Sequence, residues 1–109
     1  MGTPVRAHDG RIVGDIRGDT LVLKRRKSRH WLRLANGWAI DEVVLRRAKE
    51  AGVETVVVLD QESGVAYRAA LSKLLACGTP VDLGHGRQYA LPEREWATER
   101  PAQSQLRLL

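Results

Sequence analysis

The sequence predicts an α+β domain, a small and mostly antiparallel sheet of five to six short strands with two helices on one face. Three observations carry that expectation. Short β-branched runs recur between Gly-containing turns. Residues 41–51 show helical periodicity with a start and a stop signal. A second, shorter apolar helix pattern over about 70–77 closes at Gly78.

Taken in order, Gly2 and Pro4 open a loose lead that holds His8, with an edge strand starting at Val5. Residues 11–16 and 20–23 flank Arg17-Gly18-Asp19 and read as a hairpin. That triplet has the letters of an adhesion tripeptide. Here it is turn chemistry, with Gly18 supplying positive φ and Asp19 bonding local backbone. Trp31-Leu32-Arg33-Leu34 alternates and predicts a third strand, ended by a turn at Ala35-Asn36-Gly37. A small SH3-like or OB-like barrel in this N-terminal part is the alternative fold, because such barrels also begin with a hairpin.

Asp41 suits a helix N-cap, with Ile40 and Leu45 at the positions of a hydrophobic staple. Val44, Leu45, Ala48 and Ala51 form one apolar stripe, and Gly52 follows as the stop. Residues 54–60 are β-branched and nearly continuous, as in a central strand covered on both faces. A turn at Gly64 sends Val65–Arg68 back antiparallel. Leu71, Leu74 and Leu75 mark the inner face of the second helix, and Cys77 at its end reads as a small buried apolar residue. Residues 88–91 form a last strand, stopped by Pro92, and one helical turn then lays Trp96 on the core. The expected organisation is one domain over residues 1–96 and a C-terminal tail over 97–109.

At 109 residues, 43% hydrophobic and 28% charged, the chain can bury one core without staples. Phe is absent and Met occurs once, so Leu, Val and Ala must fill that core with the three Trp and two Tyr. The heavy use of Arg, Ala, Leu and Val suits a GC-rich bacterial genome. A single Cys excludes an internal disulfide and any multi-cysteine zinc site. Nothing resembles a signal peptide, and no apolar run approaches the roughly 20 residues of a membrane span, so the expected location is the cytoplasm.

Charge is the main functional signal. Residues 1–40 hold nine Lys or Arg against three Asp, a net +6, whereas residues 41–109 carry −1. The excess concentrates in Lys24, Arg25, Arg26, Lys27 and Arg29, followed by His30, Trp31 and Arg33. Clustered cations neutralise phosphates and release counterions, and an adjacent Trp offers a plane on which an unpaired base stacks. These eight residues are the expected nucleic-acid-binding set. No helix-turn-helix, zinc-finger or RNA-recognition signature accompanies them, so the expected contact is with DNA or RNA backbone rather than with sequence. The expected function is a small, basic, non-enzymatic nucleic-acid-binding protein. A protein-interaction subunit docking on an acidic partner is the alternative.

A divalent-metal-dependent nuclease is the second alternative. Asp60, Glu62, Asp82 and His85 are its candidate ligands, being carboxylates at a strand end and a His in a Gly-rich loop. Asp60 and Glu62 are also ordinary turn residues, and no Lys stands two places after Glu62. No residue is therefore assigned a catalytic or metal-binding role, and no cofactor is expected. Gly84-His85-Gly86-Arg87 suggests close backbone approach to some group but lacks the context of a phosphate loop. Trp38 reads as core; Tyr67 and Tyr89 read equally as packing or as stacking surface.

Overall fold

The computed structural model describes residues 2–27, 31–32, 36–82 and 86–100, with only the backbone described at 31 and 32. The chain opens as a meander of β1 (Thr3–Arg6), β2 (Ile12–Arg17) and β3 (Thr20–Arg25), all antiparallel neighbours. The turn between β2 and β3 places Gly18 at φ 62°, and Asp19 accepts the Thr20 hydroxyl at 3.1 Å. Next come β4 (Trp31–Leu32), β5 (Gly37–Asp41) and helix α1 (Glu42–Glu50). Strands β6 (Thr55–Asp60) and β7 (Ala66–Ala70) follow, then helix α2 (Leu71–Cys77). β8 (Thr79–Asp82), β9 (Arg87–Pro92), a 3₁₀ turn (Glu93–Glu95) and β10 (Ala97–Glu99) complete the described chain.

The strands form two sheets, a six-stranded one in the order β1-β2-β3-β6-β7-β10 and a four-stranded one in the order β4-β5-β9-β8. Among the described strands only the central pair β3 and β6 is parallel, from Thr20 opposite Thr55 to Arg25 opposite Asp60. A parallel pair needs a long crossover, and β4, β5 and α1 supply it. No barrel closes in the first 40 residues, because β3 takes β6 as its second neighbour and β4 joins the other sheet.

Alternation along the central strands defines the core. Leu21, Leu23, Val56 and Val58 are fully buried, and the other core face is built from Trp38, Ile40, Val44, Leu45, Ala48, Leu74 and Leu91. The two described helices therefore share one face of the large sheet, as the sequence predicts. Helix α1 starts as its sequence dictates, since the Asp41 side chain accepts the Val43 amide at 2.8 Å and the staple pair Ile40 and Leu45 is buried. Gly52 ends it at φ 81°. Of the expected stripe, Val44, Leu45 and Ala48 are buried but Ala51 is exposed, because it lies at the C-cap beyond the turn that packs.

Several expectations are corrected. Strands β5 and β8 occupy stretches expected to be a turn and cap region or an irregular loop. Cys77 is exposed, since α2 turns only Leu71 and Leu74 fully inward. Gly78 closes α2 in an ordinary extended conformation, φ −65°, and its requirement is space: a Cβ there would collide with the Leu74 carbonyl oxygen. The stretch expected to be tail begins with strand β10, which pairs with β7 from Ala97 opposite Arg68 to Glu99 opposite Ala66.

Candidate nucleic-acid interface

Strand direction decides which loops meet. β1, β3 and β6 end, and β2 and β7 begin, at the same rim of the large sheet. That rim gathers the loop from Ala7 to Arg11, the start of the basic run after β3, and the turn from Gln61 to Val65. Five residue steps along β3 separate it from the opposite rim, about 16 Å at the usual strand rise.

Lys24 and Arg26 are exposed there. Lys27 is half-buried, with its Nζ 3.8 Å from Glu93 Oε1. Arg29, His30 and Arg33 lie outside the described residues, and Trp31 is placed by its backbone alone, paired with Trp38 of β5. Two further arginines join this rim. Arg6 is exposed at the end of β1, and the Arg11 side chain, 79% exposed, stands just before β2. The sequence carried a signal for them: two successive hairpins return the chain to the same rim, so the first loop must lie beside the end of the third strand.

Arg25 differs from its neighbours. Alternation puts it on the core-facing side, in line with Leu21 and Leu23, and it is half-buried. Its Nη1 donates to the carbonyl oxygens of Val13, 2.9 Å, and Lys24, 3.0 Å. Burial lowers its pKa, the charge of Arg11 lowers it further, and the Asp41 carboxylate works in the other direction. Asp60 is its in-register neighbour on β6 and is only 2% exposed. The Asp60 carboxylate is turned into its own loop, where it accepts the Glu62 amide at 3.0 Å and the Ser63 hydroxyl at 2.7 Å. This is an Asx-type turn that orders residues 60–64, with Gly64 at φ 76°.

His8 is fixed rather than loose. Its ring Nδ1 and its backbone N–H both reach Asp41 Oδ2, the amide at 3.3 Å. Burial raises the Asp41 pKa, but the bonds from His8 and from the Val43 amide outweigh it and hold the carboxyl below its ordinary value. Ionised Asp41 accepts, so Nδ1 carries the proton it shares. Gly86 also lies against the imidazole, where a Cβ would stand 3.4 Å from Cε1 and Nδ1. That spacing is ordinary contact, so what favours glycine at 86 is its φ of 130°; Gly84 and His85 lie outside the described residues. Residues 8 and 41 are 33 positions apart, so no local pattern could announce the pair.

Both tyrosines donate to carboxylates. Tyr67 is 4% exposed, meets Trp38 edge-on at 5.4 Å between ring centroids, and donates to Glu93 Oε1 at 3.2 Å. Burial, then the Glu93 carboxylate, push its pKa up to about 12. Tyr89 is half-buried and donates to Glu42 Oε2 at 3.0 Å. Trp38 is 1% exposed, in the core as expected.

Among the described residues, no group of three or more His, Cys, Asp or Glu is arranged to hold a metal ion. Asp60 belongs to the large sheet, whereas Asp82 ends β8 at the edge of the small one. An apolar groove of about 700 Å³ opens between the helices at the opposite rim, lined mainly by Val53, Ala70, Leu71, Leu75 and Ala76. No described helix is long and apolar enough to cross a membrane. No family model, curated protein or solved structure matches this chain.

Proposed function

We propose that the protein binds nucleic acid through backbone phosphates, without sequence readout, at the rim where β3 ends. The observation that supports this is the gathering of exposed Arg6, Arg11, Lys24 and Arg26 at one rim of the sheet, adjoining the rest of the basic run. Cations held on strand ends and a short loop present charge along a line, which suits a phosphate backbone and asks for no base contact. Lys24, Arg25, Arg26, Lys27, Arg29 and Arg33 are the phosphate-holding residues of this reading, His30 belongs to the same set, and Trp31 is its stacking residue.

Fluorescence anisotropy with labelled single-stranded and duplex DNA and RNA tests it at about 50 and 200 mM salt, the interval over which phosphate contacts weaken most. Micromolar or tighter binding that collapses with salt is expected. Replacing Lys24, Arg26 and Arg29 together with Ala should abolish it while circular dichroism stays unchanged. Retained binding in that variant sinks the assignment. Absence of binding at low salt leaves the same rim to an acidic protein partner.

A further inference from the structure

We propose that Arg25 and Arg11 together form a seat for one phosphate group at the β3 rim. This deepens the nucleic-acid reading and rests on it for the source of the phosphate, but the seat itself follows from the charge balance around Arg25.

A guanidinium carries five N–H donors in a planar fork and keeps its charge. Among the described residues, Arg25 makes bonds from Nη1 alone, both to neutral carbonyl oxygens. No described carboxylate stands within ion-pair distance of it. The two acids beside it are already engaged: Asp60 by Glu62 and Ser63, Asp41 by Val43 and His8. A cation taken halfway out of water and offered only neutral acceptors is under-compensated. A second cation nearby makes the imbalance worse. Arg11 sits two residues before Val13, whose carbonyl holds the Arg25 fork, and only its Nε is engaged, by Asp9 at 2.9 Å. Its two terminal nitrogens make no bond among the described residues.

Arg11 stands two residues before the Val13 carbonyl that holds Arg25, and its charge is felt at the Arg25 guanidinium. A second fork beside the first matches the several acceptor oxygens of a phosphate better than the two of a carboxylate. An anion seated there offsets the Arg11–Arg25 repulsion and supplies charged acceptors that Arg25 does not find among the described residues. Asp9 is paired with Arg11 Nε at 2.9 Å and the Asp41 charge is felt at Arg25, so their repulsion opposes the seating of a second anion. A phosphate of a nucleic-acid backbone, a terminal phosphate monoester and free phosphate all share this chemistry.

The test follows the side-chain Nε–Hε resonances of Arg25 and Arg11 by NMR in the full chain. Inorganic phosphate is titrated against sodium chloride at matched ionic strength. Saturable shifts of both resonances with phosphate alone are expected. Arg11→Gln, at an exposed site, should weaken binding roughly tenfold, the usual scale for a charged hydrogen bond. Arg17→Gln, at the opposite rim, should leave it unchanged. A response equal in chloride, no saturation, or full affinity in Arg11→Gln overturns the seat. Matched oligonucleotides with a 5′-phosphate or a 5′-hydroxyl then identify the source. Tighter binding of the phosphorylated one assigns a terminal phosphate, and equal binding that Arg11→Gln weakens assigns the backbone. Phosphate binding without oligonucleotide binding keeps the seat and removes the nucleic-acid reading.

Discussion

Asp41 does two jobs with one carboxylate, capping α1 through Val43 and tethering His8 of the first loop. Asp41→Ala should therefore cost more than a cap alone, at the upper end of about 1–2 kcal/mol, measured by urea unfolding at neutral pH. Its lowered pKa sets the pH dependence. The contribution is fully present above the ordinary 3.8 and is lost as pH falls through the native value, so the gap between wild type and variant should close in acid. Tyr67 behaves in the opposite sense. With a pKa raised from 10.0 to about 12, it adds stability that is intact below pH 10 and disappears as pH rises toward 12. Phenolate absorbance should show one tyrosine ionising near 12. Glu93→Gln should bring it down only part of the way, because burial is the larger cause. At this scale the sequence was legible where a residue acts on its neighbours, as Asp41 does on the first turn of α1. It was illegible where the partner is remote, as for His8, and where alternation turned one member of a charged run inward, as for Arg25.

The elements split along the same line. Helix α1 was readable because both its ends are written locally, in Asp41 with its staple and in Gly52. Strands β5, β8 and β10 were not, because their stability lies in partners far along the chain. β5 pairs with β9 across some fifty residues, β8 contains a Pro, and β10 has only exposed side chains. Without a buried alternating face, β8 and β10 leave no period to detect. Gly37, expected to be a turn residue, shows what the pairing demands. It faces Pro92 in the β5–β9 ladder, is buried, and is not among the residues with positive φ. A Cβ there would overlap the Leu91 carbonyl and lie 2.7 Å from the Pro92 Cα. Gly37→Ala should thus destabilise by overpacking, about 1–3 kcal/mol as a lowered urea midpoint, with an unchanged slope if both sheets still form.

At the scale of the molecule, a net charge of +5 would attract a polyanion anywhere on the surface, so the proposed interface needs a test that holds total charge fixed. The fold provides one. Arg26 and Arg17 are both exposed, but one follows the end of β3 and the other precedes its start, so they lie at opposite rims of the same sheet. Arg26→Glu and Arg17→Glu lower the net charge by the same two units and differ only in place. If phosphates are held at the β3 end, Arg26→Glu should weaken oligonucleotide binding and flatten the dependence of log affinity on log salt by about one. Arg17→Glu should leave both near wild type. Equal losses in the two variants would assign the attraction to bulk charge and remove the interface. An asymmetric loss would tie binding to the directions in which β1, β2 and β3 run, because those directions bring Arg6, Arg11 and the basic run to one rim.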